Sequence, residues 1–254
     1  MISALQTNDA IIDIHHAGTA MRFLTAYFAI QEGRIVTLTG STRMKERPMA
    51  VLVEALRQLG AKLEYQEKYG FAPIKITGRQ LTQNKSSLKA NISSQDISAL
   101  LLIEPKLKNG FELNLEGEIT SIPYIKMTLA LLNDIGIETC FKNNKIVVLP
   151  TPNIQHPTPI TIESDWSAAS YFYSIIALAE IGKQITLSSY KENSLQGDSA
   201  LVNIYKNFGV ETVFQENSIF LRKKKHQIVA VNFQLNNNPD LAQTVAVSCF
   251  GLGM

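Results

Sequence analysis

The chain has 254 residues, with 24 lysines and arginines against 22 aspartates and glutamates, a formal net charge of +2. This charge is too small to indicate binding to nucleic acid or to a membrane surface. Apolar residues make up 45% and charged residues 18%, which is typical of a globular protein with its own core.

Cysteine and histidine spacing does not indicate a metal site. Two cysteines lie far apart in apolar surroundings, so we expect buried, inert thiols; they are Cys140 and Cys249. The histidines form no zinc pattern; they are His15, His16, His156 and His226. The first residues lack the layout of a signal peptide, and no apolar run has membrane-spanning length. We therefore expect a cytoplasmic protein.

In chain order, three stretches share one pattern of elements. Each combines an amphipathic helix, a glycine, a strand, a short polar turn and a second strand. The stretches are LVEALRQLGAKLEYQEKYGFAPIKITG, MTLALLNDIGIETCFKNNKIVVLP and LVNIYKNFGVETVFQENSIFLRK. Their apolar positions have helical spacing before the glycine and alternate after it. Gly60, Gly136 and Gly209 therefore fit the C′ position, where a left-handed residue ends a helix.

Each of these stretches follows a helix rich in small residues and a strand. The preceding segments are GTAMRFLTAYFAIQEGRIVTLTG, SSQDISALLLIEPKLKNGFELNLEG and SDWSAASYFYSIIALAEIGKQITLSS. All three open with residues that favour a helix N-terminus: Gly18 and Thr19, Ser93 and Ser94, and Ser164 and Asp165. The sequence predicts an α/β (α+β) fold of repeated β-α-β-α-β-β units, each roughly 75 residues long. The alternative is a generic alternation of helices and strands.

The stretch PTPNIQHPTP interrupts this repeat, because no helix runs through its prolines. We therefore predict two domains, residues 1–160 and 161–254. Asp240 and the apolar residues after it are similar to the first helix of a fourth unit. The chain ends on this apolar run without a polar cap. We expect an internal piece of a longer protein, with the first domain missing its opening segment and the second incomplete.

Several short motifs carry groups suited to binding anions. In HAGTAMR, Gly18 and Thr19 open a helix whose free N–H groups attract negative charge. GSTRMKERP places three cations within five residues, among them Arg43, which could clamp a phosphate or carboxylate. SSQ, at residues 93–95, offers hydroxyls, an amide and N–H groups at a helix start. Taken singly, the first motif is better explained by a plain capped helix and the second by a solvated basic loop, and an ordinary N-cap pair explains the third equally well.

Two further motifs lie later in the chain. SIPY projects the hydroxyl of Ser121 and the phenol of Tyr124 from a loop that opens a helix. Asp240 places a carboxylate at a helix start, where it would ordinarily act as a cap. No one of these motifs decides the function by itself.

Together the motifs resemble a known family. GTAMR, GSTRMKERP, SSQ, SxPY, ENSLQGD and the NxPD stretch ending at Asp240 are similar in order and spacing to motifs of EPSP synthases, over essentially the whole chain. The resemblance implies two domains of such repeats, an inside-out α/β barrel of the enolpyruvyl transferase type, with the active site in the cleft between them. It also implies a reaction of chorismate and aromatic amino acid biosynthesis: the enolpyruvyl group of phosphoenolpyruvate moves to the 5-hydroxyl of shikimate 3-phosphate, and phosphate is released.

The resemblance extends to partners and residue roles. It implies no metal and no organic cofactor, two small-molecule substrates, no nucleic acid or membrane partner, and a monomer when full length. Shikimate 3-phosphate would be bound by Ser93, Ser94, Gln95, Ser121, Tyr124 and Asp240, and phosphoenolpyruvate by Gly18, Thr19, Arg43 and Gln95. Asp240 would be catalytic, as the general base that takes the proton of the attacking hydroxyl. Arg22 and Asp165 would have supporting roles, and glyphosate would occupy the phosphoenolpyruvate site.

The chain departs from the family pattern in two ways. His16 stands where the family commonly has asparagine, and Phe23 where it has proline. A lysine–serine pair and an arginine would precede Met1, and later lysine, glutamate and arginine residues would follow Met254, so this chain alone is expected to be inactive. One alternative is a non-catalytic anion-binding module. Another is a different enolpyruvyl transferase, such as the UDP-N-acetylglucosamine enzyme, but neither cysteine lies in the loop which that enzyme uses.

Overall fold

A computed structural model describes residues 1–89, 93–150, 160–225 and 230–254. The chain divides into a first unit, Met1–Thr120 with Thr128–Thr158, and a second unit, Ser121–Met127 with Pro159–Met254. The predicted domain boundary after residue 160 stays a prediction. Residues 151–159 of the proline-containing stretch, with His156, and the segment that holds His226 lie outside the described residues.

The first unit contains one copy of the predicted repeat and most of a second; residues Ser121–Met127 of that second copy belong to the second unit. The first copy comprises α1 (Ile2–Gln6), β1 (Ile11–Asp13), α2 (Gly18–Ala29), β2 (Ile35–Thr39), α3 (Thr42–Lys45), α4 (Ala50–Gln58), β3 (Lys62–Tyr65) and β4 (Ile74–Thr77). The second comprises β5 (Lys85–Lys89), α5 (Ser94–Ile103), a 3-10 turn (Glu104–Lys106), β6 (Phe111–Glu116), α6 (Ile122–Asp134), β7 (Thr139–Lys142) and β8 (Lys145–Val148).

The two sheets of the first unit have the same topology. Their strand orders are β1-β2-β4-β3 and β5-β6-β8-β7. In each sheet the first two strands are parallel, the next strand in the order is antiparallel to them, and the edge strand is antiparallel to that one, its hairpin partner. The parallel pairs follow from the helices that connect them, because a crossover returns the chain to the same end of the sheet. Buried faces of α2 and α4 pack in the core, through side chains such as Met21, Leu24 and Leu52.

The second unit contains a third copy. It comprises α7 (Trp166–Ala177), β9 (Gln184–Ser188), a 3-10 turn (Gly197–Ala200), α8 (Leu201–Lys206), β10 (Val210–Gln215) and β11 (Ser218–Lys223), followed by a 3-10 turn (Pro239–Leu241) and α9 (Ala242–Leu252). Its sheet order, β10-β11-β9, matches the order of the last three strands in each sheet of the first unit. Residues 160–165 contain no strand, so the described part of this copy lacks the opening strand that the repeat predicts.

The three glycines after the helices have the predicted left-handed conformation. Their φ angles are 96° at Gly60, 87° at Gly136 and 73° at Gly209. At the first two, the next residue reaches back into the helix: Ala61 N–H donates to Leu56, and Ile137 N–H donates to the equivalent carbonyl of α6. These are the backbone bonds of a Schellman ending, in which a residue with a Cβ would be strained. The prediction from the sequence is confirmed.

The core of the second unit is aromatic and contains a buried lysine. Tyr173 and Tyr205 are fully buried, with ring centroids 5.2 Å apart, and Phe208 lies edge-on to Tyr205 at 5.1 Å. Lys223 is only 4% exposed, and its Nζ donates to the carbonyls of Ala177 at 2.5 Å and Phe208 at 2.8 Å. These carbonyls lie at the C-terminal ends of α7 and α8, where a cation is favoured by the helix dipole.

The expectation that both cysteines are buried was wrong for Cys140. This residue is exposed, because it lies on β7, the edge strand of its sheet, and its side chain is on the outward face of the alternating strand. Cys249, on α9, is half-buried against the core of the second unit. Both thiols are free.

Candidate active site

The start of α2 carries the first group of predicted binding residues. Gly18 is the first residue of the helix and is buried, whereas Thr19 is exposed. The preceding residue, Ala17, has no side-chain group that could cap the helix. The first turn therefore presents the positive end of the helix dipole without a capping side chain.

Two guanidinium groups lie against this helix start. An added Cβ at Gly18 would overlap Nη1 of Arg47 and would lie 3.4 Å from Nη1 of Arg22. Arg22 Nη1 also donates to the Gly18 carbonyl at 3.3 Å. Glycine at this position therefore allows cationic side chains to approach the backbone closely. Arg47 is one of the three cations of the GSTRMKERP motif, but the family resemblance assigned it no substrate.

A buried ion pair connects the start of α2 with the start of α5. Arg22 Nε donates to Asp96 Oδ1 at 2.9 Å, and the two side chains are 12% and 8% exposed. Burial raises the pKa of Asp96, and the charge and hydrogen bond of Arg22 only partly oppose this shift. The two predicted anion-binding helix starts of the first unit are thus brought together. The role of Asp96 was missed, because a carboxylate in a first helical turn ordinarily indicates no more than a favourable dipole interaction.

The predicted Ser93–Gln95 group lies at the start of α5. Ser93 is the N-cap, and its Oγ accepts a hydrogen bond from the Gln95 N–H at 3.3 Å. Ser93 is exposed, and Ser94 and Gln95 are half-buried, so the polar groups of all three remain accessible. The structure confirms the helix start that the sequence predicted. The binding role of the three residues stays a prediction.

Arg43 lies on α3, a single helical turn, whose N-cap Ser41 places it next to α2. The Oγ of Ser41 accepts from the Met44 N–H and lies 2.7 Å from Nδ1 of His16, two residues before the start of α2. Arg43 itself is 78% exposed and forms an ion pair with Glu46 at 2.7 Å. An exposed pair of this kind is easily exchanged for another anion.

Ser121 and Tyr124 belong to the second unit. Ser121 is buried and has a φ of 55°, which is unusual for a residue with a Cβ. Its N–H donates to the Asn236 carbonyl at 3.4 Å. Burial raises the pKa of Tyr124, and the negative charge of Asp198 and a hydrogen bond to it raise that pKa further. The tyrosine therefore stays protonated and can donate a hydrogen bond.

Three carboxylates of the second unit lie at or just before the starts of helices. They are Asp165, the N-cap of α7; Asp198, in the 3-10 turn before α8; and Asp240, in the 3-10 turn before α9. Partial burial raises the pKa of Asp240, and the negative charges of Asp198 and Asp165 raise it further. Asp240 itself remains exposed to solvent. An accessible carboxylate with raised proton affinity is suited to accept a proton.

The ENSLQGD loop is hydrogen-bonded to the start of α7, on both sides of Asp165. Gln196 Oε1 accepts from the Trp166 N–H at 2.9 Å, and its Nε2 donates to the Ser164 carbonyl at 2.9 Å. The motif ends at Asp198, a residue that is 1% exposed and to which the sequence assigned no role. Within the described residues, no group of three or more histidine, cysteine, aspartate or glutamate side chains is placed to hold a metal ion.

Comparisons with known proteins agree on one family. A family model described as EPSP synthase (3-phosphoshikimate 1-carboxyvinyltransferase) matches residues 1–251. Proteins named 3-phosphoshikimate 1-carboxyvinyltransferase from two strains of Bacteroides fragilis are 46% and 47% identical over 98% of this chain. A protein of the same name from Shewanella halifaxensis is 35% identical over 92% of the chain. The chain spans 60% of the length of the Bacteroides relatives and 54% of the Shewanella relative.

A solved structure supports the same fold. An EPSP synthase structure from Acinetobacter baumannii matches with a TM-score of 0.71 at 20% identity, over 93% of this chain and 53% of that one. Among the described residues, no helix has the length and apolar character needed to cross a membrane. The repeated mixed α/β sheets agree with this match in fold, and the family model matches nearly every residue of the chain. This chain therefore belongs to the EPSP synthase family.

Proposed function

We propose that the protein to which this chain belongs transfers the enolpyruvyl group of phosphoenolpyruvate to the 5-hydroxyl of shikimate 3-phosphate and releases phosphate. The family match over residues 1–251 carries this proposal. Both substrates are anions with a phosphate and a carboxylate. A site for them therefore requires helix N-termini and cations for binding, and a base for the attacking hydroxyl.

The first unit supplies the anion-binding groups in this proposal. Gly18, Thr19, Arg43 and Gln95 bind phosphoenolpyruvate, and Ser93, Ser94 and Gln95 bind shikimate 3-phosphate. The proximity of the α2 and α5 starts, joined by the Arg22–Asp96 pair, supports the assignment. Arg22 acts as a supporting residue: it fixes the two helix starts and adds positive charge beside the Gly18 backbone.

The second unit supplies the base and further contacts to shikimate 3-phosphate. Asp240 accepts the proton of the 5-hydroxyl as that oxygen bonds to the carbon of phosphoenolpyruvate that bears the phosphate, while the adjacent methylene carbon takes up a proton. Loss of a proton from the resulting methyl group then restores the double bond and expels phosphate. The raised pKa of Asp240 supports this role, since a stronger base accepts the proton more readily. Ser121 and Tyr124 donate hydrogen bonds to the substrate, and Asp165 supports the base by adding a second negative charge.

The same proposal covers the surroundings of the reaction. The full-length protein acts as a cytoplasmic monomer on two small molecules, without a metal or an organic cofactor, and without a nucleic-acid or membrane partner. Because the chain spans 60% of the length of its Bacteroides relatives, we expect residues 1–254 alone to give no turnover. Clear phosphate release by this chain alone would contradict that expectation.

A chimera tests the proposed activity. Residues 1–254 replace the matching part of a Bacteroides fragilis relative, and phosphate release is measured with phosphoenolpyruvate and shikimate 3-phosphate. We expect turnover, and we expect Asp240→Asn to lower kcat by about 10²–10⁴-fold because the general base is lost. A folded chimera without turnover, beside an active parent, would refute the proposal. Full activity of the Asp240→Asn chimera would refute the base assignment alone.

A further inference from the structure

Three segments of the second unit meet around Asp198. The Ser121 N–H donates to the Asn236 carbonyl at 3.4 Å, which joins the SIPY segment to the segment before Asp240. Asn238 Nδ2 donates to the Gly197 carbonyl at 2.6 Å, which joins that same segment to the ENSLQGD loop. An added Cβ at Gly197 would lie 2.8 Å from Cβ of Pro123, so the loop also packs tightly on SIPY. The contacts place Asp198 between the segments that carry Tyr124 and Asp240.

The carboxylate of Asp198 is held in one orientation. It is 1% exposed, and its Oδ2 accepts a hydrogen bond from the Ser167 hydroxyl at 2.5 Å. Ser167 lies in the first turn of α7, where its N–H donates to Asp165 Oδ1 at 2.8 Å. One residue therefore interacts with two of the three carboxylates. A buried carboxylate lowers the stability of the fold unless it is paired with a cation. The position of Asp198 beside two further acids therefore indicates a role other than stabilising the fold.

The charge of Asp198 acts on both proposed functional residues. Burial is the largest cause of the raised pKa of Tyr124; the charge of Asp198 comes second, and the charge of Asp240 adds to both. Burial is also the largest cause of the raised pKa of Asp240, and the charges of Asp198 and then Asp165 follow. These three aspartates are the charged groups that act on this site in the described part of the second unit.

We propose that Asp198 is a positioning residue, which makes Asp240 a stronger base and keeps the Tyr124 hydroxyl directed as a donor, while itself touching no substrate. The proposal rests on the proposed function, because it assigns a purpose to the basicity of Asp240. Its low exposure rules Asp198 out as a direct ligand. A carboxylate held near Asp240 makes deprotonation of Asp240 less favourable, which is equivalent to making its carboxylate a better proton acceptor.

The first test measures proton affinity without any turnover. The carboxyl carbons of the 254-residue chain are labelled with ¹³C at aspartate, and Asp240 is assigned from the signal that Asp240→Asn removes. In the unmodified chain we expect Asp240 to titrate above the range of an aspartate in an unfolded peptide. An ordinary Asp240 titration would overturn the proposal, and this measurement needs no variant at Asp198.

Asp198→Asn then removes the charge but keeps an oxygen that can accept from Ser167. We expect the Asp240 titration to move down by about 0.5–1 pH unit. Glu192→Gln is the matched control, because it removes one negative charge from an exposed position of the same loop and should leave the titration unchanged. An unchanged titration in a folded Asp198→Asn chain, or an equal shift in both variants, would overturn the proposal.

The second test uses the chimera described above. In a plot of kcat against pH, Asp198→Asn should move the acidic limb to lower pH and reduce the maximal kcat. Glu192→Gln should leave both the limb and the maximal kcat unchanged. A purely structural role would lower the maximal kcat without moving the limb, and that result would overturn the proposal. An inactive chimera refutes the proposed function, but the titration of Asp240 can still be measured, so the two failures are distinguishable.

Discussion

Two buried aspartates, Asp96 in the first unit and Asp198 in the second, have opposite electrostatic surroundings. In the first unit, Arg22 and Asp96 form a buried pair of opposite charges between two helix starts. In the second unit, partial burial raises the pKa of Asp240, and the negative charges of Asp198 and Asp165 raise it further. Pairing opposite charges fixes structure, whereas grouping like charges changes proton affinity. In the function proposed above, this contrast suits the first unit to binding anions and the second to moving a proton.

The largest effect is expected from breaking the buried pair. Asp96→Ala leaves the guanidinium of Arg22 buried without its counter-ion, so we expect the free energy of unfolding to fall by about 3–5 kcal/mol. Urea denaturation of the 254-residue chain measures it. The control is Glu46→Ala, which breaks the exposed Arg43–Glu46 pair and should cost less than about 1 kcal/mol. Similar losses in the two variants would show that burial does not distinguish these pairs.

Glu104 is a second buried acid of the first unit, and unlike Asp96 it has no cationic partner among the described residues. This residue is fully buried, and neither carboxylate oxygen has a hydrogen-bond partner in the described part of the chain. Burial raises its pKa from 4.5 to about 7. The folded state therefore holds the proton more tightly than the unfolded state, and the free energy of unfolding falls as pH rises from 4.5 through 7.

Replacing this carboxyl should remove that pH dependence. At pH near 8 we expect Glu104→Gln to be more stable than the parent by about 3 kcal/mol, and the gain should shrink steadily towards acid pH. Urea denaturation across this range measures it. Glu112→Gln is the opposite control, because a hydrogen bond from Lys145 lowers the pKa of Glu112. Removing the Glu112 carboxylate should therefore give no gain in stability at high pH. Parallel pH curves for the parent and Glu104→Gln would contradict the prediction.

A smaller loss is expected from the buried lysine of the second unit. Lys223→Met removes the two hydrogen bonds to the carbonyls at the ends of α7 and α8 while keeping most of the apolar volume. We expect the free energy of unfolding to fall by about 2–3 kcal/mol. Lys224→Met is the neighbouring control: its ion pair with Glu211 is partly exposed and should contribute less than about 1 kcal/mol. Equal effects at the two positions would refute the capping role.

The smallest effect on stability, but a specific effect on binding, is expected at Gly18. The added Cβ of Gly18→Ala would displace Arg47, whose guanidinium is the movable end of an exposed side chain, so stability should change by less than about 1 kcal/mol. In the chimera, the KM for phosphoenolpyruvate and the inhibition constant for glyphosate should both rise. Unchanged constants would argue against a phosphoenolpyruvate site at the start of α2.

The sequence predicted the local features well, because their causes are local. Ser93 and Asp165 are N-caps where the motifs indicated helix starts, and both the repeated unit and its left-handed glycines were predicted from periodicity. The residues that were missed depend on contacts between distant segments. Asp96 meets Arg22 across 74 positions, and Asp198 meets Ser167 across 31. Burial of a polar side chain by such contacts leaves no periodic trace in the sequence.

The exposed thiol has a similar explanation. An apolar neighbourhood along the chain predicted burial of Cys140, but position within the sheet decides which face of an edge strand meets solvent. Strand order is a tertiary property. The repeat predicted which strands exist, and hydrogen bonding between them then determined which lie at an edge.

Lys223 also provides a natural reporter of opening in the second unit. Its amine is enclosed and engaged by backbone carbonyls, so reagents that modify lysines reach it only when the ends of α7 and α8 separate from β11. Its modification rate, compared with that of the adjacent and exposed Lys224, therefore gives the population of the opened form. The reactivity of the amine that joins two helix ends therefore measures how often those ends separate.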